Sequence, residues 1–209
     1  TVDWKDTIYY WENSNGELVA LLCSEYPNEY ITLLTKKKYK NLEVEMVALA
    51  EENVISEILH KSELKIWCME GDAFREDLLN KKGYAKQEEV EYLNWIDLGA
   101  PVPEFEIPEG YTLHDMVDET GVDLQKKIER ITGAFDSKLY PVEIYRNFQE
   151  GPSYRKEYDL YTMDKEGNVC SFCFIWYDAE LNIGYFEPVG TDEKHRRKGL
   201  GRATLNAGL

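Results

Sequence analysis

The sequence predicts an α/β chain of two successive domains, each a mixed, mostly antiparallel sheet flanked by helices. Three observations lead there. A hairpin signature, two apolar runs around a polar turn that holds a glycine, occurs at Ile8 to Cys23 and again at Tyr158 to Tyr177. Apolar stripes of helical period interleave with strand-like runs. Between the halves, Gly99 to Gly110 holds Pro101, Pro103 and Pro108, which suit neither a helix interior nor a central strand.

The elements follow in order. Ile8 to Trp11 and Leu18 to Cys23 form the first hairpin around Asn13 to Gly16, and Tyr30 to Leu34 is a third strand. A helix from about Asn41 presents Leu42, Met46 and Leu49, and a further stretch carries Ile55, Ile58 and Leu59. Leu64, Ile66 and Cys68 alternate as a strand, Phe74, Leu78 and Leu79 mark a helix capped by Gly83, and Val90, Tyr92, Asn94 and Ile96 alternate again. The expected domains are 1–98 and 111–209, with 99–110 as linker. In the second, Tyr111 to His114 is a short strand, and Leu124, Ile128, Ile131 and Phe135 form a helix stripe. Pro141 opens a helix with Ile144, Tyr145 and Phe148 before the second hairpin, which turns at Asp164 to Asn168.

Composition narrows the function classes. An apolar fraction of 43% and an aromatic fraction of 13% exclude a disordered chain despite a net charge of -16. That acidity disfavours nucleic acid and anionic membrane surfaces and suits a cationic partner such as an amine. Without an apolar run long enough to span a bilayer or a signal-like start, the expectation is a cytoplasmic protein. Cys170 and Cys173 have C-x-x-C spacing, yet lie in a strand-like run where residues three apart face opposite ways. All four cysteines therefore read as reduced, small apolar residues, and no metal is expected.

The chemistry concentrates near the end of the chain. Glu187-Pro188-Val189-Gly190-Thr191 leads into Arg196-Arg197-Lys198-Gly199-Leu200-Gly201-Arg202, a strand followed by a glycine-punctuated turn that opens a helix. Glycines let a ligand approach the backbone, so that amides and the helix N-terminus face a phosphate. Five of the thirteen basic residues after Ala100 fall between Lys194 and Arg202. A Walker loop would need a different spacing and a hydroxyl residue, and a dinucleotide fingerprint a third glycine.

Arg196, Gly199 and Gly201 match the acetyl-CoA signature of GNAT acyltransferases, and the preceding order of strand, two helices and three strands resembles that family's course. The resemblance implies two tandem domains of this fold, splayed at strand four. It implies acetyl-CoA as co-substrate, with main-chain groups of Val189, Gly190 and Thr191 on the pantetheine arm and Arg196, Arg197, Lys198, Gly199, Leu200, Gly201 and Arg202 around the pyrophosphate. Pro188, lacking an N–H, suits a bulge or unpaired edge there. In the first half, Lys40-Asn41-Leu42-Glu43 offers no glycine, so that half is expected to be a degenerate repeat without cofactor. Glu187 is the candidate base, with Tyr185 beside it, nine and eleven residues before Arg196. The family's usual acid, a tyrosine on a fourth helix, would follow Leu209, and the chain is expected to be a fragment of a longer tandem protein. The expected activity is N-acetyl transfer to a small primary amine, the alternative being a catalytically silent acetyl-CoA-binding or scaffold protein. A homodimer is left open.

Overall fold

The computed structural model describes residues 8–24, 30–52, 63–99, 101–102, 104–134 and 142–209. The chain divides into two compact units, Thr1–Tyr92 and Leu93–Leu209. No helix among the described residues is long and apolar enough to cross a membrane.

In the first unit, β1 (Ile8–Glu12), β2 (Leu18–Ser24) and β3 (Tyr30–Thr35) form an antiparallel meander, and β4 (Lys65–Ile66) runs parallel to β3. The β1–β2 turn closes on Asn13, whose Oδ1 accepts the N–H of Asn15 at 2.9 Å and of Glu17 at 3.1 Å. A 3₁₀ segment, Lys37–Leu42, runs directly into α1 (Glu43–Leu49), and α2 (Ala73–Lys81) is capped by Asp72. Leu22, Ile31, Met46, Val47 and Ala50 are fully buried between sheet and helix.

Several expectations change here. The buried stripe of α1 is Glu43, Met46, Val47 and Ala50; Leu42 sits at its margin and Leu49 is half-buried, because the helix turns Glu43 inward to meet Arg75. The strand expected at Val90 to Ile96 does not form. No strand among the described residues pairs with it, and Tyr92 and Trp95 are 83% and 95% exposed, so period-two alternation lacked the ladder that would fix it. Ile55, Ile58, Leu59, Phe135 and Pro141 lie outside the described residues.

In the second unit, β5 (Tyr111–His114), β6 (Asp159–Asp164), β7 (Val169–Asp178) and β8 (Ile183–Thr191) form one antiparallel sheet in that order. Phe172 and Phe174 of β7 face α3 (Leu124–Ala134) and α4 (Val142–Gln149), whereas Cys173 and Ile175 face α5 (Leu200–Gly208). Cys173 thus sits in a core that does not include Cys170, and all four cysteines are free thiols. Burial pushes the Cys170 thiol up to about 11 and the Cys173 thiol to about 12, so both stay protonated and unreactive near neutrality.

Beneath α3 lies an ion pair with no exposure at all. Lys127 Nζ donates to Asp159 Oδ1 at 2.7 Å and to the Tyr145 hydroxyl at 2.9 Å, and stands 4.6 Å from the Tyr161 ring centroid. Asp159 Oδ2 accepts from the hydroxyls of Tyr145 and, at 2.9 Å, Tyr154. A buried charge needs this degree of pairing to avoid a desolvation cost of several kcal/mol.

Candidate functional site

The site begins where β8 stops. Pairing runs Ser171 with Thr191, Phe172 with Gly190 and Cys173 with Val189, then slips before resuming with Ile175 opposite Phe186. The slip falls at Glu187 and Pro188, which needs no N–H partner there. β8 is the last strand in its sheet order, so the outer main-chain groups of Val189, Gly190 and Thr191 have no strand alongside among the described residues. The splay from a fifth strand needs a neighbour that the described residues of this sheet do not include.

Past Thr191, Asp192 caps a 3₁₀ turn, accepting the Lys194 N–H at 3.1 Å, and its other carboxylate oxygen accepts from Arg130 of α3 at 2.8 Å. Arg196 is extended, its Nε donating to the Thr191 carbonyl at 3.1 Å. The chain then reverses through two left-handed residues, Arg197 at φ 64° and Gly199 at φ 87°, before α5 begins at Leu200. Glycine carries the second at no steric cost. At Gly201 the reason is different: a Cβ would come within 2.9 Å of Thr191 Oγ1, so only glycine lets the helix start lie this close to the strand end.

Three buried hydroxyls pin this helix start. Thr204 Oγ1 donates to the Leu200 carbonyl at 2.9 Å, and a 2.6 Å bond joins it to Ser171, which is bonded at 2.6 Å to Thr162. Leu200 and Ala203 are buried against the sheet beside them.

Nine of the ten sequence-predicted cofactor residues, all but Lys198, line one cavity of about 500 Å³, together with Ala134 of α3. Arg196, Arg197 and Arg202 are exposed around it, and among the described residues Arg197 and Arg202 have no hydrogen-bond or ion-pair partner. The first N–H groups of α5 have no intrahelical acceptor. Guanidinium groups without a partner among the described residues, the N-terminus of a nine-residue helix and side-chain-free approach at Gly199 together suit a polyphosphate. Lys198 turns elsewhere: Nζ donates to the Tyr111 hydroxyl at 2.9 Å, which raises its pKa, and the same hydroxyl bonds His195 Nδ1 at 3.1 Å.

Tyr185 pairs across the strands with Trp176 and is 48% exposed, while Glu187 is exposed in the slip and its carbonyl accepts from Trp176 Nε1 at 2.7 Å. They do not line the cavity. Sequence inspection missed Asp192, Arg130 and Tyr111, whose partners are up to 87 residues away in the chain. It also missed Lys127, although a lysine three residues after Leu124, on the stripe of Ile128 and Ile131, was a visible anomaly.

No protein-family model matches the sequence, and no curated protein matches it. Among solved structures the chain is similar to a GCN5-related N-acetyltransferase from Sphaerobacter thermophilus, with a TM-score of 0.65 at 19% identity over 98% of this chain and 67% of that one. It is also similar to a GCN5-related glucosamine N-acetyltransferase region of a fungal multi-domain GH3 beta-N-acetylglucosaminidase, with a TM-score of 0.55 at 13% identity over 96% of this chain and 28% of that one. The order of strand, two helices, three strands and helix in the second unit, and these likenesses, give the chain the fold of the GCN5-related N-acetyltransferases, the GNAT superfamily.

Proposed function

We propose that residues 111–209 form an acetyl-CoA-binding domain that transfers an acetyl group to a primary amine of a small acceptor, and that residues 1–98 are a degenerate copy of the same domain joined by the linker 99–110. The observation that carries the first part is the convergence of Val189 to Thr191, the arginines and the two glycines on one cavity at the start of α5. Arg196, Arg197 and Arg202 with the α5 N-terminus would hold the pyrophosphate, and the free edge of Val189 to Thr191 would hold the pantetheine amides. When bound there, acetyl-CoA supplies the activated acetyl thioester. The protein's own part is to position it against the β8 slip, where Glu187 takes a proton from the ammonium form of the acceptor, directly or through a water. Tyr185 lies beside that path. The acidic chain favours a cationic acceptor.

The repeat is supported by detail at matching points. Both hairpins slip register just before the turn, at Trp11/Glu12 and at Thr162/Met163. Both turns hang on one side-chain oxygen, of Asn13 and of Asp164, each accepting the N–H groups two and four residues on.

Calorimetry with acetyl-CoA followed by an amine-acceptor screen tests the proposal. We expect one cofactor per chain, acetylation of at least one small amine, and in Glu187→Gln a turnover lower by about a hundredfold at neutral pH. That loss should shrink as pH rises toward about 10, where an increasing share of the acceptor arrives deprotonated. Absence of binding rejects the cofactor assignment, two sites per chain reject the degenerate copy, and binding without turnover of any amine favours the silent reading.

A further inference from the structure

Outside the cradle, three side chains with metal-ligating donors converge: Asp164 at the end of β6, Cys170 near the start of β7, and His195 in the 3₁₀ turn Glu193–His195. One donor atom from each lies within 4.8 Å of the other two, and among the described residues no other three such groups come together. The backbone builds this convergence. The Asp192 N–H bonds the Cys170 carbonyl and the His195 N–H bonds the Asp192 carbonyl, both at 2.9 Å, so the turn that carries His195 is registered to β7. Asp164 is fixed by its own hairpin turn, where Oδ1 accepts the N–H groups of Glu166 at 3.0 Å and Asn168 at 2.8 Å and the Asn168 amide at 3.2 Å, while Oδ2 accepts that amide at 3.0 Å. His195 is oriented by Tyr111, whose hydroxyl lies 3.1 Å from Nδ1 and also takes Lys198 Nζ at 2.9 Å. An Nδ1–H donating to that oxygen leaves the Nε2 lone pair facing Asp164 Oδ2, 3.9 Å away. That gap is too long for a hydrogen bond. The buried Cys170 thiol donates instead to the Asn168 carbonyl at 3.1 Å, so the three groups approach one point without satisfying one another.

The geometry points to a binding site for one divalent cation of the zinc class, held by Cys170 Sγ, His195 Nε2 and Asp164 Oδ2. The donor set decides the class: thiolate and imidazole select a borderline-soft ion such as Zn²⁺ over Ca²⁺ or Mg²⁺, which take oxygen ligands. Zinc ligands at about 2.0 to 2.3 Å in a tetrahedron stand about 3.3 to 3.8 Å apart, so the donors need to close by about 1 Å. On binding, the Cys170 S–H bond breaks, a sulfur–metal bond forms and the proton passes to solvent, with no electrons exchanged. The resulting thiolate and the Asp164 carboxylate balance the two positive charges. Side-chain exposures of 18% for His195 and 11% for Asp164 leave one side open to a water as fourth ligand. Cys173 faces the core on the other side of the sheet and has no part in the site, which is why the C-x-x-C spacing does not reveal it. The cation would tie the β6–β7 turn to the turn that enters the cradle, whatever the cradle itself binds.

The test takes the whole chain, stripped with a chelator, and two probes: Zn²⁺ in competition with a chromophoric chelator, and Co²⁺ for its spectrum. Wild-type protein should bind one ion per chain, and its cobalt form should show the thiolate-to-cobalt charge-transfer band. Cys170→Ser should abolish that band. His195→Gln and Asp164→Asn, the latter keeping the acceptor on which the turn hangs, should each weaken Zn²⁺ binding by about a hundredfold or more, and Tyr111→Phe, which removes the bond to Nδ1, by about tenfold. Cys68→Ser, a control in the first unit, should change nothing. Circular dichroism reports the fold of each variant, and if Cys170→Ser fails to fold, His195→Gln, on a surface turn, carries the test. Wild-type protein that binds neither ion overturns the site. So does a cobalt form without the charge-transfer band, a band that survives Cys170→Ser, or an unchanged Zn²⁺ affinity in His195→Gln.

Discussion

The two strand-to-helix junctions of this chain, after β3 and after β8, start alike and end with opposite electrostatic roles. After β3, the Lys36 N–H bonds the Val19 carbonyl at 2.9 Å and the Tyr39 N–H bonds Lys36 at 2.8 Å; after β8, the Asp192 N–H bonds Cys170 at 2.9 Å and the His195 N–H bonds Asp192 at 2.9 Å. Then they part. The first bends once at Tyr39, where φ is -112°, is helical at Leu42 with φ -62°, and buries Glu43, whose carboxylate takes Arg75 Nε at 2.9 Å, Thr35 Oγ1 at 2.7 Å and Lys40 Nζ at 2.8 Å. The second reverses through Gly199 and keeps its arginines outside, while the ion pair that this unit does bury, Lys127 with Asp159, joins α3 to β6. In one junction the chain supplies its own anion. In the other Arg196, Arg197 and Arg202 stay exposed around a cavity, and the same frame ends in a sealed core or an open turn according to which residue follows it.

The most direct way to break the contrast is to give the second junction an anion. Gly201→Glu or Gly199→Glu would bring a carboxylate to the cavity lined by Arg196, Arg197 and Arg202, where it would repel the pyrophosphate proposed to bind there. Like-charge juxtaposition costs several kcal/mol, so acetyl-CoA affinity should fall a thousandfold or more. Circular dichroism should report the overall fold retained, and Gly201→Ala, which sets the Cβ against Thr191 without the charge, separates displacement of the helix start from repulsion. Calorimetry that finds wild-type affinity in both variants would show that the cradle does not hold the phosphates.

The converse change removes the anion from the first junction. Glu43→Ala leaves the buried Arg75 with the Trp67 and Leu33 carbonyls, at 2.8 and 2.9 Å, and a longer ion pair to Asp72 at 3.7 Å. Breaking a buried pair in this way typically costs about 3 to 5 kcal/mol. Denaturant unfolding should show a loss of that size in the transition of the first unit. A loss under about 1 kcal/mol would mean the network is peripheral to stability.

How much of this was legible depends on where the determinants sit. The hairpins, the helices around Met46, Leu78 and Ile128, and the loop from Arg196 to Arg202 are local signals, a period or a spacing within a dozen residues, and they read through. Partnership across long separations did not. Val90 to Ile96 alternates as a strand should, yet pairing is a property of two segments, and a sequence window sees one. Lys198 sits amid the phosphate-binding pattern but bonds Tyr111, 87 residues earlier. Glu43 and Lys127, charged residues on apolar stripes, mark buried ion pairs that become visible once their partners Arg75 and Asp159 are known.

The smallest effect, and the one that most sharpens the comparison, is in the acid response of the first junction. Burial pushes the pKa of both Glu43 and Asp72 upward, but hydrogen bonds outweigh it, from Arg75 and Lys40 on Glu43 and from Lys40 on Asp72, and both carboxyls end below their ordinary range. A group whose folded pKa is depressed contributes stability that is complete above its unfolded value and is lost as pH falls through the folded one. Unfolded carboxylates titrate near pH 4. Glu43→Gln, which keeps the shape and removes the charge, should therefore cost about 2 kcal/mol at pH 7, the scale of a charged hydrogen bond. That gap to wild type should narrow from about pH 5 toward pH 3, because a protonated Glu43 offers Arg75 little more than an amide does. Asp164, also held low, by Asn168 against the opposing effect of burial, is present in both proteins and cancels from the difference. A gap that stays constant across this window would mean that Glu43 is not the ionised anion on which the first junction closes, and the contrast with the open cradle would then rest on backbone shape alone.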